Sequence, residues 1–298
     1  METLNSNQIN TGKSQKYYTH SGAFSVGGLI PIIISGTMAA VILGFIYSYA
    51  VHFIPFVYLN VFLTMGFGFC MGLIVSFGGK RGKIRNTSVV GIFGVIFGLL
   101  AEYSQLVFWI FAESKQKLFL IAPSDVFDMM KTISINGLWR VRSITPTGGL
   151  LFFIWFVEAA IIVGLTIISA IVGIKSEPFC EKCKKWVDKE ESLDPINFPN
   201  SVEGLKRQLE QGNFSELTNL GKADKDKSKF ITVEIRCCEE CKDFSLMSLK
   251  ANTITKNEKG EEKTTKEEVI ENLIIDKEVY DSLKSWNETT KVLTESNV

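Results

Sequence analysis

Five of the six cysteines fall in two short stretches: Cys180 and Cys183 in CEKCKKW, and Cys237, Cys238 and Cys241 in RCCEECKDF. Thiolates attack carbon, exchange disulfides or bind metal, and spacing narrows that choice. CEKCKKW and CEECKDF share the pattern C-E-x-C-K-x-aromatic, an internal repeat that sets Cys180 and Cys183 against Cys238 and Cys241. Two C-x-x-C turns can aim four sulfurs at one tetrahedral Zn²⁺. In that register Cys237 matches Phe179, so it is expected outside the ion's shell, as a packing residue at the end of a strand. An iron-sulfur cluster could use the same four thiolates. A dithiol redox centre would need one C-x-x-C at a helix N-terminus after a strand, a setting neither copy has. Cys70 lies alone in an apolar run and reads as a small packing residue.

On these motifs and their flanks the chain resembles a zinc ribbon, whose two knuckles each sit at a β-hairpin. The resemblance implies one structural zinc ion held by Cys180, Cys183, Cys238 and Cys241. Fifty-four residues separate Cys183 from Cys238, against a usual ~15–20, so an insertion is expected between the knuckles. SVEGLKRQLEQGNFSELTNLG reads as a helical hairpin over about 201–220, capped by Ser201, although Gly204 stands where a capping box wants Glu or Gln. FITVEIR alternates like a strand and enters the second knuckle; FSLMSLKANTIT leaves it as another. The acidic and lysine-rich stretch from Asn252 to Asp276 reads as a charged hairpin or loop followed by a strand or short helix, and KEVYDSLKSW as a terminal helix.

A second candidate is the pair Glu102 and Glu158, each inside a long apolar run. A carboxyl in hydrocarbon is costly and marks a functional hypothesis. Both fall about 12 to 15 Å below the same surface if the runs are helices, and they could share a proton or line one polar pocket. Each could equally be neutral and bonded to a neighbour such as Tyr103, Ser104 or Gln105.

The elements that must carry these groups divide at about residue 174. Up to that point eleven Lys/Arg face six Asp/Glu, a net of +5; beyond it twenty-one face twenty-six, a net of −5. Four runs, about 29–51, 56–77, 89–111 and 150–174, reach the ~20 apolar residues that a bilayer crossing needs. The connection GGKRGKIRN carries Lys80, Arg81, Lys83 and Arg85 with no acid, whereas HFIPF carries no Lys or Arg. The positive-inside rule then puts residues 79–87 and both termini in the cytoplasm, and the thiols in a reducing compartment where disulfides are rare. The outer loop from Ala112 to Gly149 offers PSDVFDMMKTI as an interfacial helix capped by Ser124, with Trp139 as an anchor. Gly68/Gly72, Gly94/Gly98 and Ala160/Gly164 supply small-residue faces that suit either a compact bundle or a homo-oligomer.

The expected fold is therefore an α-helical multi-pass membrane protein with four transmembrane helices and a C-terminal α+β, zinc-ribbon-like cytosolic module over 175–298. Residues 1–28 are expected as a polar, disordered segment, and 29–174 as the membrane domain in a cell (inner) membrane. No P-loop, H-E-x-x-H or G-x-S-x-G motif is present and His20 and His52 are the only histidines, which argues against phosphate, metalloprotease or serine-hydrolase chemistry. Nothing points to nucleic acid. The expected role is a non-enzymatic membrane-anchored adaptor or sensor with a cytosolic protein partner. The alternative is a small transporter or channel component using Glu102 and Glu158.

Overall fold

A computed structural model describes residues 16–54, 56–137, 145–223, 228–256 and 261–295; the first fifteen residues of the N-terminal segment, and Trp139, lie outside the described residues. The chain forms two units, His20–Glu177 and the remainder.

The first unit is helical: α1 Leu29–Phe53, α2 Val57–Arg81, α3 Thr87–Glu113, α4 Pro123–Asn136 and α5 Gly148–Lys175. The four long helices have 25 to 28 residues, a reach of about 38 to 42 Å that exceeds a hydrocarbon core of ~30 Å. All four are apolar enough in composition to cross a membrane. Helices α1 and α5 each pack against both α2 and α3, so α1 and α5 occupy opposite corners of a four-helix arrangement.

Glycine lets the backbones meet. A Cβ added at Gly68 would lie 2.8 Å from the Ile162 carbonyl oxygen, and one at Gly72 would lie 1.8 Å from Ser169 Oγ and 2.5 Å from the Thr166 carbonyl oxygen. Gly94 and Gly98 approach Ile167 and Val163 of the same helix, at 3.1 and 3.0 Å. Both pairs thus face α5. The close approach brings hydroxyls across: Thr166 Oγ1 lies 3.1 Å from the Gly68 carbonyl oxygen and Ser169 Oγ 3.3 Å from that of Phe69, while each donates at shorter range within its own helix, to Ile162 at 2.8 Å and Leu165 at 2.6 Å. The third small pair faces elsewhere, because Ala160 is exposed and a Cβ on Gly164 would meet nothing within 4 Å.

Helix α4 packs back on α3 through Val126, beside Val107 and Ile110. Its cap differs from the expected Ser124. Ala122 occupies the N-cap position and Pro123 the first turn, while Ser124 Oγ donates to Asp125 Oδ1 at 3.2 Å. Proline's fixed φ and missing N–H suit the first helical position, so Pro123 sets the start.

The second unit is an antiparallel sheet with three helices. Short strands β1 Phe179–Cys180 and β2 Lys185–Trp186 form a separate hairpin; β3 Glu190–Ser192, β4 Ile196–Asn197, β5 Lys229–Cys237, β6 Ser245–Lys256 and β7 Glu262–Ile275 form the main sheet. Its order is β3-β5-β6-β7, with β4 also paired to β5. Helices α6 Val202–Glu210, α7 Ser215–Leu220 and α8 Lys277–Glu295 complete the unit. Alternation along β5 buries Ile231, Val233 and Ile235, and these pack with Leu205, Leu209 and Leu217 in one core. Ser201 caps α6, its Oγ accepting from the Gly204 N–H at 3.0 Å. The ambiguous charged stretch is resolved as the β6–β7 hairpin.

Within the segment expected to be disordered, residues 16–18 are paired. Tyr18 N–H donates to the Asn272 carbonyl at 2.9 Å and Ile274 N–H to the Lys16 carbonyl at 2.9 Å, so residues 16–18 extend β7's edge. Tyr17 Oη donates to Glu210 Oε1 at 2.5 Å. Residues beyond Thr19 belong to the helical unit, where the Ala23 carbonyl accepts from the Arg85 N–H at 2.9 Å. A polar sequence does not prevent this, because strand pairing uses the backbone groups that every residue here carries.

Candidate functional site

The four cysteines of the repeat come together. Their sulfurs all lie within 4.8 Å of one another, Cys180 and Cys238 buried, Cys183 and Cys241 partly so. Each pair comes from a similar turn. Cys180 ends β1 and Cys183 sits in the turn to β2, where Phe179 pairs with Trp186 and Cys180 with Lys185. Cys238 follows the last residue of β5; its N–H donates to the Phe244 carbonyl, and its own carbonyl accepts from the Lys242 N–H, both at 2.9 Å. The repeat extends to the backbone: Lys184 and Lys242, each directly after the second cysteine of its turn, have φ of 53° and 55°. A side chain with branching at Cβ is a strong outlier there. Lys242→Ile is therefore expected to weaken metal retention and lower the unit's stability by about 1–3 kcal/mol, with Lys242→Gly at or above wild type; chelator competition and thermal melting check both.

Aromatic residues wall the cage. The Phe179 and Trp186 rings meet edge to face at 5.0 Å, and those of Tyr18 and Phe244 at 5.5 Å. Tyr18 Oη also accepts from the Phe179 N–H at 2.9 Å. The two turns carry opposite charge, and Lys182, Lys185 and Lys189 pair with Asp243, Glu240 and Glu239 respectively. These exposed pairs add little stability individually, but they set which face of one turn meets the other. The sequence carries this signal as a lysine-rich first copy and an acid-rich second. Cys237 closes β5 outside the group of four, its sulfur accepting from Ser245 Oγ at 3.3 Å.

Four thiolates so placed can bind a metal ion. Without one, burial and neighbouring thiols push the Cys180 thiol up and Cys183 up to about 12. At Cys241 burial is outweighed by the backbone N–H groups of Asp243 and Phe244 and by adjacent thiols, which hold it down to about 7. Protons must leave the raised thiols as metal enters. Metal affinity is therefore expected to climb with pH and to collapse as pH falls below about 7, with proton release on binding; potentiometric and competition titrations measure both.

The fifty-four-residue gap is filled by more than a helical hairpin: β2, β3, β4, α6, α7 and β5 all lie within it. Strand β5 then delivers the second turn. The insertion is thus most of one side of the sheet.

Glu102 and Glu158 are both in the helical unit and within electrostatic reach of each other. Glu102 Oε1 accepts from Gln105 Nε2 at 3.1 Å, one of the neighbours named from sequence, whereas Tyr103 instead bonds the Ile121 carbonyl. Glu102 Oε2 is buried with no hydrogen-bond partner among the described residues. Glu158 Oε1 lies 2.5 Å from Tyr47 Oη of α1, a partner that sequence spacing does not reveal. Neither a protein-family model, nor a curated protein, nor a solved structure matches the chain.

Proposed function

We propose that this is a membrane-anchored adaptor or sensor, in which α1, α2, α3 and α5 cross the bilayer and the sheet unit is a cytosolic protein-interaction module fastened by one structural zinc ion. The gathering of four sulfurs from two distant turns carries this reading. Zinc–sulfur bonds of about 2.3 Å in a tetrahedron require sulfurs about 3.8 Å apart, and Cys180 and Cys241 stand at 3.7 Å. A shell of four thiolates leaves no open position for substrate, the arrangement of structural rather than catalytic zinc. What zinc supplies is a crosslink between turns that have little apolar material of their own.

Support for the membrane comes from what the helical unit leaves outside. Phe62 and Phe156 are 71% and 70% exposed, with Ile34, Phe69 and Phe153 also exposed. Such an apolar exterior suits lipid and not water. The basic connection after α2 and Lys175 at the end of α5 favour the cytoplasm for that end of the bundle. In the sheet unit a cleft of about 750 Å³ beside the second turn is lined by Lys189, Glu190, Glu239, Lys242, Tyr280 and Lys284. Its mixed charges suit a polar protein partner, and its wall includes residues flanking the cage, so metal and partner binding are coupled.

Elemental analysis of the purified full chain, combined with photocrosslinking from position 284, tests the reading. One zinc and no iron per chain is expected, with a cytosolic crosslink that disappears in Cys238→Ser. Bound iron, or a crosslink indifferent to that substitution, would overturn it.

A further inference from the structure

No Lys or Arg occurs in α1, in α2 before Lys80, in α3, or in α5 before Lys175, so no such side chain can balance Glu102 and Glu158 along the spans. His52 is engaged elsewhere, 2.8 Å from Glu113. Among the described residues the partners of the two carboxyls are a hydroxyl and an amide.

The hydroxyls around Glu158 indicate how that carboxyl is neutralised. Tyr47 Oη lies 2.5 Å from Glu158 Oε1 and 2.7 Å from Thr64 Oγ1, and Thr64 Oγ1 lies 2.9 Å from the Asn60 carbonyl oxygen. Three links join four oxygens. The carbonyl can only accept, so the single Thr64 hydrogen goes to it; Thr64 must then accept from Tyr47, and Tyr47, its own hydrogen spent, must accept from Glu158. Only a carboxylic acid at Glu158 completes all three links. If Glu158 is a carboxylate, Tyr47 turns to it, Thr64 turns to Tyr47, and the Asn60 carbonyl loses its hydroxyl donor.

Glu102 is the complementary group. Its Oε2 is buried and unpartnered, and its Oε1 is held by Gln105, itself only 5% exposed. Around Glu158 the titratable groups are Tyr47 from α1 and Glu102 from α3, while those of α2, Tyr58 and Cys70, are exposed. The set draws on all four long helices.

We propose that Tyr47, Thr64, Glu102 and Glu158 form a proton-exchange site within the four-helix unit, with Glu158 as the resident acid and Glu102 Oε2 as the second proton-accepting position. In the exchange the O–H bond at Glu158 breaks and one forms at Glu102. Tyr47 and Thr64 rotate their hydrogens toward the Glu158 carboxylate, and no oxidant or reductant is involved. Its placement in lipid rests on the four-span reading above, which flotation of the protein with liposomes scores separately.

The test is infrared difference spectroscopy of the full chain in liposomes across a pH titration. A protonated-carboxyl band is expected in the wild type, absent in Glu158→Gln. It should be shifted in frequency, with helicity unchanged, in Tyr47→Phe, which removes the hydroxyl that accepts from the acid. Glu158→Gln should fold, since its amide can donate to Tyr47 in the acid's place; were it to fail, the Tyr47→Phe shift still decides. A band that survives Glu158→Gln, or ignores Tyr47→Phe, overturns the site. So does a carboxylate signal that responds to sodium or potassium at fixed pH and shows no acid band.

Discussion

Cys238→Ser is expected to abolish metal binding at the proposed four-thiolate site, from one ion per chain to none, and to destabilise the unit by ~4 kcal/mol or more, as losses of a structural metal do. Serine keeps the shape of the side chain but supplies no thiolate, and Cys238 is 4% exposed against Val187 and Cys180, so the change strikes the centre of the cage. Apparent binding energies of structural zinc in small domains reach ~10–16 kcal/mol at neutral pH, comparable with the whole stability of a domain. The main sheet has its own core of Ile231, Val233, Leu205 and their neighbours. Melting is therefore expected to begin at the two turns and reach the sheet at higher temperature. Cys180→Ser should match Cys238→Ser, because both sulfurs belong to one shell. Cys237→Ser should keep the metal and cost less than ~1 kcal/mol. Metal counting and thermal melting by circular dichroism separate the three variants; metal loss in Cys237→Ser would show that the repeat misassigns the shell.

Gly72→Leu carries the second large effect, on the helical unit. The first added atom already falls 2.5 Å from the Thr166 carbonyl oxygen, a backbone group of the helix that α2 must touch. Ser169 could rotate away, but the carbonyl cannot. Overpacking of this kind typically costs about 1–3 kcal/mol, and the bulk of leucine should push α2 from α5 and exceed that range. The Thr166 and Ser169 hydroxyl contacts with α2 would go with it. Gly164→Leu is the internal control: it lies on α5, yet a Cβ there meets nothing within 4 Å, so a change within about 0.5 kcal/mol is expected. Denaturant titration of the reconstituted chain distinguishes them, and equal losses would mean that Gly164 also lies in an interface, one between copies of the chain.

The long apolar helices were legible because their apolar runs extend to twenty residues and beyond without Lys or Arg. The four-cysteine group was legible because the repeat keeps spacing, lysine and aromatic together. Strands β3 and β4 were not, since two or three residues such as Glu190–Ser192 carry no periodic signal and form only by pairing with β5. Strand β7 was ambiguous for a different reason: its first residues, from Glu262 to Glu268, are exposed, so no alternation marks them. The Tyr47–Glu158 link joins residues 111 positions apart, and no local pattern encodes it. Ser124 misled because its preference for a cap competes with proline's preference for the first turn, and proline prevailed.

The pairing of residues 16–18 with β7 also constrains how the chain is threaded. Hydrogen-bonded strands cannot have a bilayer between them, so the segment before α1 and the sheet after α5 must be on one side. In the proposed membrane arrangement the path from Thr19 to Pro178 then crosses an even number of times. Four crossings meet this parity; three or five would tear Tyr17 from Leu273. That single edge contact therefore serves as a check on topology independent of charge, and a reporter attached near Tyr17 and another in the β6–β7 hairpin should always be found in the same compartment.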